Sequence, residues 1–183
     1  MTVTVTPEEF RFVHFDAAQT ARIADDVARL TGIDRPVQVE IDETTPLSRV
    51  RIDLGDTIVL HVESGAFEDT KRPRHQSETA TAASLARCLL KARDRLEGGF
   101  GEAPTDDDLT LQQAAAWDTY CAGRMARLGL TVNQQRFRYN FRNRFGFTDQ
   151  VDTRFERVWA ADALTWGELQ SLTSGESMVV DAP

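Results

Sequence analysis

The chain has 183 residues, 41% of them hydrophobic and 27% charged, a globular composition with length for a sizeable core and too apolar for a disordered segment. A net charge of −8 sets the molecular field against polyanions, which argues against general affinity for nucleic acid or an anionic membrane surface. No apolar run approaches the roughly 18 residues of a membrane span, and the opening stretch to Asp16 lacks the basic-then-apolar order of a secretory signal, so the expectation is a cytoplasmic protein without membrane association.

Thr6-Pro7-Glu8-Glu9 has the form of a helix start, with Thr6 as cap, Pro7 in the first position and Glu9 completing a capping box. It predicts a short helix over about Pro7 to His14. Asp16 with Gln19 predicts a second helix, whose Ala17, Ala21, Ile23, Ala24, Val27 and Leu30 recur at helical spacing until Gly32 stops it. Val37, Val39 and Ile41 then alternate with polar residues, as do Val50, Ile52 and Leu54, and Ile58, Leu60 and Val62. These are three half-buried strands, the last two joined as a hairpin through Gly55-Asp56. Ser64 to Gln76 is polar and reads as a surface loop.

A long helix is predicted from about Ser77 to Leu96, on the apolar stripe of Ala82, Leu85, Ala86, Leu89, Leu90 and Leu96, with Gly98-Gly99 ending it. After a loop to Leu109, Thr110 and Gln113 form a capping box for a helix to Leu128. Phe137, Tyr139 and Phe141 alternate with arginines as a strand would. Phe137, Phe141 and Phe145 also share a helix face, and helix is the preferred reading. Thr148 starts a further helix containing Phe155, Val158 and Trp159. Thr165 and Glu168 cap a last short helix to about Leu172, and residues 174–183 read as a frayed tail.

This order predicts an α+β fold: a small three- to four-stranded sheet, antiparallel or mixed, packed by helices and followed by a helical C-terminal half. The expected organisation is a single domain over 1–183, with a helix and sheet core in 1–97, a helical extension in 98–173 and the tail beyond.

Catalytic motifs are sparse. The histidines His14, His61 and His75 include no His-Glu-x-x-His and no pair at i, i+4. His61 and Glu63, two apart on a strand, point to one face, where an imidazole beside a carboxylate could serve as a general base. The simpler reading is a polar pair on an edge strand. His75 and Glu78 fall at a helix start, where the helix dipole alone accounts for an acid. Ser64-Gly65 lacks the Gly-x-Ser-x-Gly elbow. Gly98-Gly99-Phe100-Gly101 is followed by no Lys-Ser or Lys-Thr and is preceded by a helix, so it is a helix stop rather than a phosphate loop. Asp106-Asp107-Asp108 lacks the glycine and terminal glutamate of a calcium loop. Cys88 and Cys121 lie far apart in apolar helical patterns and read as buried thiols, without histidines nearby for a zinc site. Neither a metal nor another cofactor is expected.

Charge is unevenly spread. Glu97 to Gly123 holds six acids and no Lys or Arg, whereas Thr131 to Phe147 holds four arginines and no acid. Within the second stretch, Arg136, Arg138, Tyr139, Arg142 and Arg144 interleave cations with rings as single-strand nucleic-acid surfaces do. The same composition suits a helix that buries its rings and pairs its guanidinium groups internally, and the net charge favours that reading.

The first half resembles the minimal zincin-like metallopeptidase domains of bacteria. The resemblance rests on Pro7-Glu8-Glu9-Phe10, the Asp16–Leu30 helix leading into Val37-Gln38-Val39-Glu40-Ile41-Asp42, further strands, and the apolar helix around Ala83-Ser84-Leu85-Ala86-Arg87-Cys88-Leu89-Leu90. It covers about Thr6 to Leu96. It implies a matrix-metalloprotease-like core whose last helix carries His-Glu-x-x-His in active members. Here Ala83 and Arg87 stand where the zinc histidines would be and Ser84 where the general base would be. Alanine has no donor atom and arginine is a permanent cation, so the resemblance implies a metal-free copy unable to cleave peptides by that route.

The function expected from sequence is therefore a non-catalytic binding or regulatory protein, with a protein partner or small-molecule ligand favoured over nucleic acid and a homodimer as the base expectation. Two alternatives stand beside it: a hydrolase using His61 and Glu63, and a nucleic-acid module using Arg136–Phe147.

Overall fold

Asp16 opens the first helix as its sequence suggests. Its carboxylate accepts the Gln19 N–H at 3.0 Å, and helix α1 (Ala17–Thr31) closes on Gly32 at φ +75°, a left-handed conformation that favours glycine. The computed structural model describes residues 2–174, so the expected tail lies outside the described residues from Gly175 on. It is an α+β fold dividing into two compact units, Met1–Arg93 and Asp94–Pro183.

The first unit is built on a four-stranded mixed sheet of β1 (Val3–Thr6), β2 (Val37–Asp42), β3 (Val50–Asp53) and β4 (Ile58–Glu63), in the order β1-β2-β4-β3. β1, β2 and β4 are parallel, and β3 runs antiparallel on the edge. The expected hairpin is β3–β4. Helix α1 supplies the crossover that parallel β1 and β2 require. Period-two alternation sorts the side chains. Val37, Val39, Ile41, Ile58, Leu60 and Val62 are buried, each worth about 1.5–3 kcal/mol relative to exposure. Gln38, Glu40, Asp42, His61 and Glu63 alternate with them and stand on the opposite face. Helices α1 and α2 (Glu78–Glu97) add buried stripes of Ala24, Val27 and Ala28, and of Leu85, Ala86 and Leu89.

Two stretches differ from expectation. No helix forms over Pro7 to His14; instead Val3–Thr6 is a strand, with Thr6 in register with Glu40. The backbone after it is satisfied elsewhere: Arg11 and Phe12 donate their N–H groups to the Glu43 carboxylate at 2.7 and 2.6 Å, and His14 forms a bridge to His75. Thr6 ends the β1 ladder, and the groups that a helix would use after it are bonded to Glu43 and to the second sheet. Residues 64–76 are likewise not a plain loop. They form a 3₁₀ turn (Ser64–Ala66) and a second, two-stranded sheet of β5 (Glu68–Asp69) and β6 (Arg72–Gln76). Ala66 and Phe67 are buried and anchor this hairpin, an apolar pair hidden in a polar stretch.

The second unit is helical: the end of α2 from Asp94, then α3 (Leu111–Arg127), α4 (Gln134–Phe145), α5 (Asp149–Ala160) and α6 (Trp166–Ser174). The Thr110–Gln113 capping box is present in both directions, Thr148 caps α5 at the Val151 N–H, and Thr165 and Glu168 exchange hydrogen bonds at the start of α6. Trp117, Tyr120, Phe100, Phe141, Phe155 and Leu169 fill the core. Helices α3 and α5 approach so closely at Gly123 that a Cβ there would lie 2.0 Å from the Trp159 carbonyl oxygen. None of the described helices is long and apolar enough to cross a membrane.

Candidate functional site

On the face of the sheet opposite its buried residues, the strands bring their polar residues into rows. Register places Thr6, Glu40, His61 and Arg51 side by side across all four strands. Asp42 and Glu63 are neighbours one step further along, and the Glu63 N–H donates to the Arg49 carbonyl at 2.9 Å. These residues, with Pro7, Ile41 and Val62, line a cleft of about 420 Å³.

His61 stands at its centre, held on both sides. Its Nδ1 lies 3.0 Å from a Glu40 oxygen and its Nε2 lies 2.8 Å from an Asp53 oxygen. The Nε2 contact is a hydrogen bond and the Nδ1 contact a close approach, so a carboxylate stands against each ring nitrogen. Glu40 and Asp53 bind opposite nitrogens and so diverge from any common point. Among the described residues no group of three or more His, Cys, Asp or Glu side chains is placed to hold a metal ion.

The cleft carries both signs of charge. Asp42 accepts from the hydroxyl and the N–H of Thr44 at 2.6 and 2.8 Å, and these bonds hold its carboxyl below the usual aspartate value. Glu63 shares the face of His61, as the sequence suggests, but the His61 ring stands against Glu40 and Asp53 instead. The Glu63 Oε2 is shielded from solvent and has no hydrogen-bond donor. Arg49 and Arg51 face the same cleft, and neither guanidinium has an ion-pairing or hydrogen-bonding partner among the described residues.

The other sequence candidates are used elsewhere. Ser64 is buried, and its Oγ contacts the Thr45 carbonyl at 3.0 Å and a Glu68 oxygen at 3.2 Å. His75 stacks on His14 with ring centres 4.6 Å apart, while Glu78 accepts from Gln19. Ser84 donates to the Ala66 carbonyl at 2.9 Å, and neither Ala83 nor Arg87 lines the cleft. In the acidic trio, Asp106 pairs with Arg95 at 2.9 Å and Asp108 accepts from Thr105, a turn leading into α3.

The arginine–aromatic stretch is helix α4, and half of it faces inward. Phe141 is buried against Phe145 and Phe155, and Phe137 packs on Trp159. Arg138 pairs with Glu156 and Arg142 with Asp152, both acids of α5 rather than of the Glu97–Gly123 stretch. The Asp152 pairing holds the Arg142 guanidinium above its ordinary value and is the main cause that keeps the Asp152 carboxyl below its own. Arg136, Arg144 and Tyr139 remain exposed, with Tyr139 edge-on to exposed Phe147 at 6.1 Å.

Sequence reasoning missed Glu40, Arg49, Arg51 and Asp53 as companions of His61. Glu40, Arg51 and Asp53 lie on the polar side of correctly read strands and Arg49 directly precedes β3, but only the strand order and register set them beside one another. No family model, curated protein or solved structure matches the chain.

Proposed function

We propose that this protein is a non-catalytic binding domain whose ligand occupies the cleft on the open face of the four-stranded sheet. The observation that carries the reading is the double engagement of His61 by Glu40 and Asp53. It sets a carboxylate against each ring nitrogen, leaving Arg49, Arg51 and Glu63 as the cleft groups available to a ligand. A hydrolase built on His61 and Glu63 would need a free ring nitrogen directed at substrate, which this arrangement does not favour. A polar cleft with a few convergent charged groups is a common form of small-ligand site.

The fold is read as a metal-free relative of the zincin-like domains. Support comes from α1, β2, β3, β4 and the apolar helix α2 following in the order of the resemblance, without its helical opening at Pro7-Glu8-Glu9-Phe10, and from Ala83, Ser84 and Arg87 on that helix. The nucleic-acid reading is the weaker one, because ion pairs with α5 occupy Arg138 and Arg142. The test is a panel of peptide and ester substrates with purified protein. No turnover is expected; hydrolysis that disappears in His61→Ala would replace this reading with the hydrolase.

A further inference from the structure

We infer that the cleft takes a small zwitterion, with an anionic oxyacid group gripped by Arg51 and Arg49 and an amine donated to Glu63. The inference rests on the reading of the cleft as a binding site and names its ligand class. Arg51 and Glu63 sit on adjacent strands, on one face and offset by two residues, a diagonal spacing of about 7–8 Å between side-chain origins. Arg49 lies across from Glu63. Opposite charges so placed would be expected to pair, yet no ion pair joins them and both guanidinium groups lack partners. Meanwhile the Glu63 Oε2 is withdrawn from water without a donor. An unsatisfied shielded acceptor is costly unless something donates to it. A primary amine supplies up to three N–H donors, and two guanidinium forks match a carboxylate or a phosphate. The remaining acids do not compete for the amine equally: Glu40 is committed to His61 and Asp42 to Thr44. The cleft therefore has a cationic edge on the β3 side and one open acceptor on β4, with about 420 Å³ between its walls.

The test is a titration followed by amide NMR, using γ-aminobutyrate and O-phosphoethanolamine as the two zwitterions. Butyrate, inorganic phosphate and butylamine serve as the half-ligands. The expected result is shifts confined to β2, β3, β4 and the Thr6–Pro7 segment, with one zwitterion bound roughly tenfold or more tighter than any half-ligand. Whichever of the two zwitterions binds tighter distinguishes carboxylate from phosphate. Arg51→Gln should weaken it to the level of butylamine, and Glu63→Gln to the level of butyrate or phosphate. Half-ligands binding as tightly as the zwitterions would overturn the inference and leave the cleft a binding site. Absence of cleft shifts with every probe at millimolar concentration would overturn it, while shifts with unrelated neutral probes would show that the cleft binds a different class. Each comparison on the unaltered protein stands even if a variant fails to fold.

Discussion

Replacing Arg124 with methionine should destabilise the helical unit by about 3–5 kcal/mol, the cost of stranding one member of a buried ion pair. Asp94 is 3% exposed. Its two carboxylate oxygens accept from Arg124 Nη1 and Nη2 at 2.7 and 2.6 Å, and one also accepts from Trp117 Nε1 at 2.7 Å. The Arg124 guanidinium also lies 3.8 Å over the Tyr120 ring. Asp94→Leu should cost a similar amount by stranding the cation. The double variant Asp94→Leu, Arg124→Met removes both charges, and its deficit should fall to about 1–3 kcal/mol, chiefly the loss of an acceptor for Trp117 Nε1. Urea unfolding followed by tryptophan fluorescence reads this unit selectively, since Trp117, Trp159 and Trp166 all belong to it. Single-variant losses below about 1 kcal/mol, the range of a solvent-screened pair, would refute the reasoning. So would a double variant whose loss equals the sum of the singles.

Three further outcomes follow from the same structure. Gly123→Ala should destabilise by about 1–3 kcal/mol or more, because its Cβ would meet the backbone of Trp159 at 2.0 Å rather than a movable side chain; calorimetry checks it against Gly129→Ala, whose added carbon meets no other atom within 4 Å but carries a left-handed φ. The Arg142 bond holds the Asp152 carboxyl below its unfolded value, so its stabilising effect is present above the ordinary aspartate range, near pH ~4, and is lost as pH falls through the lowered folded value. The stability gap between the natural protein and Asp152→Asn should shrink between about pH 5 and pH 2; a gap that holds constant in acid would contradict this. Leu60→Ala should cost about 2–5 kcal/mol, since Leu60 is fully buried in a central strand, and a smaller loss in denaturant titration would mean the sheet core collapses around the space.

Much of the fold is legible because its signals are local. Asp16 and Gly32 bracket α1, Thr110 and Gln113 open α3, and alternation marks β2, β3 and β4. The helix over 134–145 is legible for the same reason, once Phe137, Phe141 and Phe145 are weighed against the alternating arginines. What failed was local evidence that tertiary structure overrides. Thr6 has the chemistry of a cap but serves as the last residue of β1, whose Val3 and Val5 are too few to outweigh the Thr-Pro-Glu-Glu signature. Phe67 carries a hairpin within a stretch whose composition reads as loop. The site was legible only in part: His61 and Glu63 follow from alternation, whereas Glu40, Asp53 and Arg51 reach His61 through strand register, which a single sequence does not contain. For the same reason Arg138 and Arg142 find their acids on α5 rather than in the more conspicuous acidic stretch before them.

The most direct measurement is crystallographic soaking with a library of small charged fragments. A binding domain of the kind proposed should show fragments in the cleft bounded by Arg51, His61 and Glu63, with their anionic groups on the arginines and the His61 ring still between Glu40 and Asp53. Fragments that leave the cleft empty and gather instead on Tyr139, Phe147 and Arg144 would contradict it and move the function to helix α4.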